Sequence, residues 1–301
     1  MINIEYQKIE DIKVSTKTYI VSTNVYFHLE QIYDAIDVIP YIILEKKRGR
    51  KKKTEKTIPE NKVEDGSIIY VQYQNKYKGC KKKNKKNTYF RNSITTIMIV
   101  DDKKINFKIT KNGKIQMTGC KYYKHSQKCI KYFWIYIKSF ENICYNFKSE
   151  NDKIFNVLFI PTMRNIDFSL HMAVNREKLD QYINNNTDKY SLLETSFGYT
   201  GVNIKFPIQK PITELHLKNI IYMNDNWTEL KCVKYSEYLK NEMTESDAAK
   251  KINKKRYNTF LVFHSGKCIM SGINTYFMKD AYYQFMQIID DCYNDIKEVL
   301  E

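Results

Sequence analysis

The side chains of this sequence that can bind a ligand are cations, amides and hydroxyls, and the densest group is cationic. Residues 46–91 contain 17 Lys and Arg against four acids, which is a net +13 of the formal charge of +16. The segment opens with KKRGRKKK, in which Arg48 and Arg50 stand among lysines. Such cations bind nucleic-acid phosphates, and an arginine pair suits the narrow minor groove of A·T-rich DNA. The charge therefore predicts a polyanionic partner, with a solvated basic loop as the alternative.

Patterns typical of catalysis or metal binding are weak. The five His (28, 125, 171, 216 and 264) form no nucleophile set, and the sequence has no Gly-rich phosphate loop or paired-carboxylate motif. We therefore expect no enzyme activity and no cofactor. The seven Cys include no CxxC pair and are interpreted as free thiols of a reducing compartment. Cys120, His125 and Cys129 have a spacing that a metal could use, but scattered residues at a helix start are the simpler interpretation.

Two stretches of the chain share one pattern of alternation and turns. Residues 105–119 read INFKITKNGKIQMTG, and residues 258–272 read NTFLVFHSGKCIMSG. Alternation predicts strands, and the NG and SG pairs predict tight hairpin turns. A stretch with apolar residues at three- and four-residue spacing follows each hairpin, at 120–140 and 274–300. Each copy therefore predicts a β-hairpin followed by a long amphipathic helix.

The repeat extends upstream of the hairpins. TNVYFHL at 23–29 aligns with RNIDFSL at 164–170, which pairs Asn24 with Asn165. Short helices are expected next, at 37–45 and 175–184, with Asp37 and Asn175 as N-caps. Strand, helix, strands and long helix, written twice, predict an α+β fold whose antiparallel sheet has helices on one face.

Alternation also assigns the hairpin residues of the first copy to two faces. The residues expected to face the helices are Phe107, Ile109, Ile115 and Met117. The residues expected on the opposite, polar face are Lys108, Thr110, Gln116 and Thr118. That face is either solvated or a nucleic-acid surface.

The repeated hairpin resembles the TATA-box-binding protein family. That family's hairpin reads roughly apolar-apolar-F-x-S-G-K-apolar-apolar-x-T-G-A-K, and LVFHSGKCIMSG and FKITKNGKIQMTGCK correspond to it here. The resemblance covers about 18–45, 92–207 and 256–300. It implies a curved antiparallel saddle with helices on the convex face, built from repeats at 1–150 and 151–301. The divergence and the residue bias suggest a large DNA virus.

The resemblance implies DNA contacts for particular residues. The family's concave sheet lies on the minor groove, where amides and hydroxyls donate to the acceptors of A·T pairs. The implied base contacts are Asn24, Asn165, Thr118 and Ser271. Phe263 and Tyr199 would wedge between base steps, Leu261 and Ile269 would lie beside the sugars, and Lys205 would contact a phosphate.

The first copy departs from the family at its wedges. Thr110 replaces one wedge Phe, Ser93 or a neighbour replaces the other, and Lys108 replaces the apolar residue beside them. Gln116 is likewise polar, while Tyr26 and Asp167 stand where small apolar residues are usual. A wedge side chain that inserts between two base pairs offsets the free-energy cost of unstacking them. The loss of one pair of wedges therefore predicts a weaker or one-sided bend.

Two insertions interrupt the family plan. Residues 46–91 split the first copy, and IIYVQYQ at 68–74 within them predicts an extra strand. Residues 208–255 split the second copy, and SEYLKNEMTESDAAKKINKK predicts a helix of mixed charge. The second insertion falls where transcription factor IIB docks in the family, so a diverged partner is expected there.

Three functions remain open from the sequence. The first is a monomeric transcription initiation factor that binds A/T-rich double-stranded promoter DNA and recruits RNA polymerase and factors like transcription factor IIB. The second is a protein-interaction scaffold that has lost DNA binding. The third is single-strand or RNA binding through the Tyr and Lys residues of 76–86.

Localisation signals are few. No apolar run approaches 18 residues, and the start of the sequence has charges where a signal peptide is apolar. We therefore expect no membrane contact and no secretion. KKRGRKKK is typical of nuclear localisation. Together with the suggested viral source, this predicts the nucleus or a cytoplasmic viral factory.

Overall fold

The computed structural model describes residues 7–41, 63–79, 90–149, 151, 153–194 and 201–298. Its contacts define two compact units. The C-terminal unit comprises Met1–Thr18, Ile160–Asn219 and Lys231–Glu301, and the N-terminal unit comprises Tyr19–Phe159 and Ile220–Leu230. The repeat boundaries at 1–150 and 151–301 stay a prediction, because compact units and sequence repeats are different properties.

The elements up to the middle of the chain follow the expected order of strand, helix, strands and long helix. They are β1 (Val14–Thr23), β2 (Val25–Phe27), α1 (Leu29–Ala35), β3 (Ile68–Tyr73), β4 (Lys76–Gly79), β5 (Ser93–Val100), β6 (Lys103–Thr110), β7 (Lys114–Cys120), α2 (Tyr123–Ile137) and β8 (Tyr145–Phe147).

The remaining elements repeat this order around an insertion. They are β9 (Phe155–Ser169), β10 (Ala173–Val174), α3 (Arg176–Asn186), β11 (Tyr190–Glu194), β12 (Gly201–Pro207), β13 (His216–Met223), β14 (Asn226–Lys234), α4 (Tyr235–Glu242), α5 (Glu245–Asn253), β15 (Tyr257–Phe263), β16 (Lys267–Gly272), α6 (Thr275–Asp291), α7 (Tyr293–Ile296) and β17 (Lys297–Glu298). A 3₁₀ turn at Ile212–Glu214 precedes β13.

The N-terminal unit is an antiparallel sheet with the order β4-β3-β5-β6-β7, next to which lies β1 from Tyr19 onward. The four hairpin residues predicted to face the helices are all fully buried: Phe107, Ile109, Ile115 and Met117. They share one core with Ile32 of α1 and Phe133 of α2. The rings of Phe107 and Phe133 meet edge to face with centroids 5.8 Å apart.

The C-terminal unit repeats this arrangement. Its antiparallel sheet has the order β11-β12-β15-β16-β9, to which β9 contributes the residues from Ile160 onward. Phe260 packs against α6, where its ring stacks on Phe285 with centroids 4.2 Å apart. Leu179 and Ile183 bring α3 to the same core. In each unit the helices cover one face of the sheet, so the predicted α+β class and the repeated plan are confirmed.

The short helices test the prediction further. Residues 176–186 form α3, and Asn175 caps it by accepting from the Lys178 N–H at 3.0 Å, as predicted. The helix predicted at 37–45 is wrong, because α1 ends at Ala35 and residues 36–41 are not helical. Pro40 lies inside the predicted segment and would interrupt helical hydrogen bonds. Residues 42–45 lie outside the described residues.

The second insertion is more structured than a single helix. Thr244 interrupts the predicted helix and caps α5, since its hydroxyl oxygen accepts from the Asp247 N–H at 3.3 Å. Within the N-terminal unit, the tip of the β13–β14 hairpin packs on α2. There the rings of Trp134 and Tyr222 meet edge to face with centroids 5.9 Å apart, and Lys138 Nζ lies 2.8 Å from Asp225 Oδ1.

Two further sequence predictions concern strands and membranes. IIYVQYQ forms β3, as predicted. Among the helices that the structure describes, none combines the length and apolar character needed to cross a bilayer.

Candidate nucleic-acid interface

The face of the C-terminal sheet opposite the helices carries a row of polar side chains. Strand pairing sets these residues directly beside one another: Tyr190, Lys205, Thr259, Ser271 and Asn165. Their neighbours along the strands, such as Phe206 and Phe260, point into the core. The five side chains are therefore exposed or half-buried on one surface, which we name the C-terminal open face.

A second row on this face is mostly apolar. Its members, again paired across the strands, are Leu192, Asn203, Leu261, Ile269 and Asp167. Phe263 follows two residues after Leu261 and lies opposite Gly201. A Cβ at Gly201 would come within 2.7 Å of the Leu261 side chain, so glycine gives that side chain its room. Six predicted site residues thus share one face: Asn165, Ser271, Lys205, Leu261, Ile269 and Phe263.

Three groups on this face are notable for their charge or hydrogen bonding. The Asn165 Oδ1 atom is buried and has no hydrogen-bond partner among the described residues. Asp167 is exposed and places a carboxylate in the apolar row, where it accepts from the Ser15 hydroxyl at 3.1 Å. Lys205 Nζ lies 5.7 Å from the centre of the Tyr190 ring. The face therefore combines one cation, one carboxylate and amide and hydroxyl donors.

The corresponding face of the N-terminal unit, which we name the N-terminal open face, is more polar. Gln72, Thr95, Lys108 and Gln116 lie side by side across four strands. Thr118 lies beside Asn106 in the next row, and its hydroxyl donates to the Asn106 carbonyl at 3.4 Å. The predicted alternation of this hairpin is confirmed.

Lys108 has an unexpected aromatic partner on this face. Its Nζ lies 3.6 Å from the centre of the Phe90 ring, and Phe90 is 63% exposed. Burial lowers the pKa of Lys108 below its ordinary value. Thr110 and Ser93, which replace the family's wedge Phe residues, pair with each other across β5 and β6, and neither is aromatic. Phe90 is thus one exposed aromatic residue of the region, and Tyr77, which pairs with Gln72 in the same row and is 45% exposed, is another. The position of Phe90 outside a predicted strand gave no signal in the sequence.

An apolar cluster covers the outer strands of the N-terminal open face. It consists of Tyr41, Ile69, Tyr70, Ile97 and Ile99, with Val63 packed against it. Lys104 Nζ lies 4.7 Å from the Tyr41 ring. Tyr41 and Val63 flank residues 42–62, so the chain on either side of that segment lies at this face. Arg48 and Arg50 lie outside the described residues, as does Tyr199.

Asn24 differs from Asn165 in position and in partners. The N–H of Thr23 donates to the carbonyl of Gly113, and the N–H of Leu170 donates to that of Gly266. These bonds make Thr23 and Leu170 equivalent in the two hairpins. Asn24 therefore lies one residue after this point and Asn165 five residues before it.

The ungapped alignment of 23–29 with 164–170 is consequently wrong in the structure. Three matches among abundant residue types do not distinguish this alignment from one displaced by six residues. The amide of Asn24 is engaged at both ends: Nδ2 donates to the Ile154 carbonyl at 2.7 Å, and Oδ1 accepts from the Asn156 N–H at 2.8 Å. Asn24 thus holds two backbone segments of the N-terminal unit together.

The possible metal ligands of α2 lie in a different setting. Burial raises the pKa of the Cys129 thiol well above its ordinary value, and burial lowers the pKa of His125. His125 Nδ1 accepts from the Lys121 N–H at 3.2 Å. Within the described ranges, no group of three or more His, Cys, Asp or Glu is arranged to hold a metal ion.

Sequence reasoning missed residues that only strand pairing brings to the site. Tyr190 and Asn203 are on the C-terminal open face because β11 and β12 pair beside the hairpin. Their strands lie upstream of the second insertion. The sequence offers no signal for the alignment of strands that are this far apart.

Comparison with known proteins finds similarity to a viral protein and to a solved structure. No protein-family model matches the sequence. The uncharacterized protein 335L of Invertebrate iridescent virus 6 is 24% identical over 250 residues, covering 79% of this chain and 71% of that protein. The solved structure of Methanococcus jannaschii TBP is 14% identical, covers 93% of this chain and 98% of that chain, and has a TM-score of 0.43. The viral relative supports the expected viral origin, and the fold class rests on the strand pairing and helix packing described above.

Proposed function

We propose that this chain is a TATA-binding-protein-like transcription initiation factor that binds the minor groove of A/T-rich double-stranded DNA. The observation that carries the proposal is the C-terminal open face, where a row of amide and hydroxyl groups runs beside an apolar row that contains Leu261 and Ile269. A·T pairs present only acceptors in the minor groove, which these donors match. Apolar side chains suit the sugars and opened base steps.

The proposed contacts are unequal between the repeats. Asn165 and Ser271 donate to base edges, Phe263 inserts between base steps, and Lys205 binds a phosphate. Thr118 and Lys108 add contacts from the N-terminal open face, whose outer strands the Tyr41 cluster covers. Arg48, Arg50 and Tyr199 keep their predicted roles as untested members of the interface. Asn24 acts on the backbone of 154–156 and supports the fold.

The wider role follows from the sequence resemblance. We propose a monomer without enzyme activity or cofactor that recruits RNA polymerase and a factor like transcription factor IIB. The β13–β14 and α4–α5 elements enlarge the segment beside which that factor docks in the family, which favours a dedicated partner. The proposed place of action is the nucleus or a cytoplasmic viral factory.

The test compares an A/T-centred duplex with a G/C duplex of equal length by fluorescence anisotropy. A Leu261→Ser/Phe263→Ser variant is the probe, and Thr95→Ala on the N-terminal open face is its matched control. We expect the double variant to lose the preference for A/T and the control to keep it. Equal affinity of the intact chain for both duplexes would contradict the proposal.

A protein-interaction scaffold is the second candidate. Asp167 favours it, because an exposed carboxylate at the β9 end of the apolar row repels phosphates. The covered outer strands of the N-terminal open face favour it as well. An Asp167→Asn variant distinguishes the two functions, since it should bind A/T duplexes more tightly if the face binds DNA and unchanged if it binds a protein.

A further inference from the structure

A basic groove lies beside the polar row of the C-terminal open face. It has a volume of about 570 Å³ and is lined within the C-terminal unit by sheet residues and by the second insertion. Lys205, Thr259 and Ser271 belong both to the groove and to the open face. The other wall comes from the end of α5 and the turn that follows it, which provide Lys251, Lys254, Lys255 and Arg256.

This wall is held by specific hydrogen bonds. The Arg256 guanidinium donates to the carbonyls of Lys251 at 2.6 Å and Lys254 at 2.9 Å. It therefore binds carbonyls that the end of α5 leaves without helical partners. The Arg256 carbonyl in turn accepts from the Ile208 N–H at 2.9 Å, which ties the turn to the end of β12. The lysines thus project from an anchored turn.

The groove carries positive charge without internal compensation. Its lining contains five Lys and Arg residues and no Asp or Glu. In the described part of the chain, Lys205, Lys251, Lys254 and Lys255 form no ion pair, whereas neighbouring Lys250 pairs with Asp247 at 3.1 Å. Cations held close together repel one another unless an anion joins them. The arrangement therefore favours a ligand that brings several negative charges.

We propose that this groove binds backbone phosphates of the duplex just beyond the A/T site. The proposal rests on the function proposed above and extends it to a segment that the family plan lacks. Lysines are usual donors to phosphate oxygens, and Thr259 and Ser271 of the polar row also line this groove, so the cations lie directly beside the base-reading row. A duplex that lies on the open face would continue into the groove without leaving the protein surface.

The test removes three charges from the groove and three from elsewhere in the same insertion. The probe is Lys251→Gln/Lys254→Gln/Lys255→Gln, and the control is Lys231→Gln/Lys234→Gln/Lys240→Gln, whose side chains are exposed outside the groove lining. Each phosphate contact contributes about 0.9 to the salt slope of binding. The probe should lower the slope for a 24-base-pair A/T-centred duplex by about 2.7 and weaken binding at 0.1 M salt by up to about 500-fold. The control should change neither.

Three outcomes would overturn the groove assignment while leaving the proposed function intact. One is equal behaviour of probe and control on a duplex that the intact chain prefers for its A/T content. Another is an equal loss on a duplex trimmed to an 8-base-pair A/T core, because the cations would then act inside the site. The third is unchanged DNA binding with lost binding of poly-glutamate, which would assign the groove to an acidic polypeptide. Absence of any A/T preference in the intact chain would instead refute the proposed function.

Discussion

The two asparagines predicted as an equivalent pair should behave in opposite ways when each is replaced by alanine. Asn24 makes two hydrogen bonds, at 2.7 and 2.8 Å, to the backbone of residues 154 and 156. Asn24→Ala leaves a carbonyl and an N–H without their partners, and each such group costs about 1–3 kcal/mol when water does not replace the bond. Because Asn24 is half-buried, we expect a loss of about 2–4 kcal/mol in the free energy of unfolding.

Asn165 offers the reverse case. Its Oδ1 is buried without a hydrogen-bond partner in the described part of the chain, so Asn165→Ala removes an unsatisfied polar atom. Stability should stay within about 1 kcal/mol of the wild-type value. Binding to an A/T duplex should weaken by about 5- to 150-fold, which corresponds to about 1–3 kcal/mol for a base contact.

Urea denaturation followed by circular dichroism measures the first quantity, and fluorescence anisotropy on A/T and G/C duplexes measures the second. Each variant is the control for the other, since both substitutions replace an asparagine by alanine and so remove the same kind of side-chain amide. The reasoning would be refuted if Asn165→Ala destabilised the chain as much as Asn24→Ala. It would also be refuted if Asn24→Ala kept full stability and abolished the A/T preference.

Three other predictions concern a turn, an ion pair and the wedge. Gly266 has φ +72° and a Cβ there would lie 2.0 Å from the Met172 carbonyl oxygen, so Gly266→Ala should lower the free energy of unfolding by more than about 2 kcal/mol; an unchanged urea midpoint would contradict this. Hydrogen bonds from Lys138 and Tyr222 hold the pKa of Asp225 below its ordinary value, so its stabilisation is present above about pH 4 and is lost as pH falls through the lowered pKa. Trp227 fluorescence should therefore change on acidification below about pH 4 in the wild-type chain, and the same change in Asp225→Asn would refute the assignment. Phe263→Ala should reduce the DNA bend measured by energy transfer between duplex ends, whereas Thr110→Ala should not; equal bends in both variants would exclude Phe263 as a wedge.

The sequence predicts the hairpins and their faces well because burial on one side of a sheet leaves a period of two. Phe107 and Met117 are buried while Lys108 and Gln116 are not, which is the alternation visible in the letters. The long helices α2 and α6 are predicted for the same reason, at a period near 3.6. The local cap at Asn175 also needs only nearby residues.

Long-range relations could not be predicted in the same way. The alignment of Asn24 with Asn165 fails because the two repeats are related by which residue donates to the carbonyl of the hairpin glycine. That hydrogen bond joins segments far apart in the sequence, so the sequence does not show it. Ile97 and Ile99 are buried on the face expected to be polar, since Tyr41 folds over them from another part of the chain. The groove was not predicted, because the mixed charge of the second insertion indicates only a helix and does not show that its last lysines lie beside the sheet.

The central claim is that the C-terminal open face reads the minor groove of A·T pairs. Inosine·cytosine pairs test it directly, because they present the minor-groove acceptors of A·T pairs and the major-groove pattern of G·C pairs. The measurement is the affinity of the intact chain for A·T, I·C and G·C versions of one duplex at physiological salt. We predict that the I·C duplex binds like the A·T duplex and more tightly than the G·C duplex. An I·C duplex that binds like the G·C duplex would contradict the account.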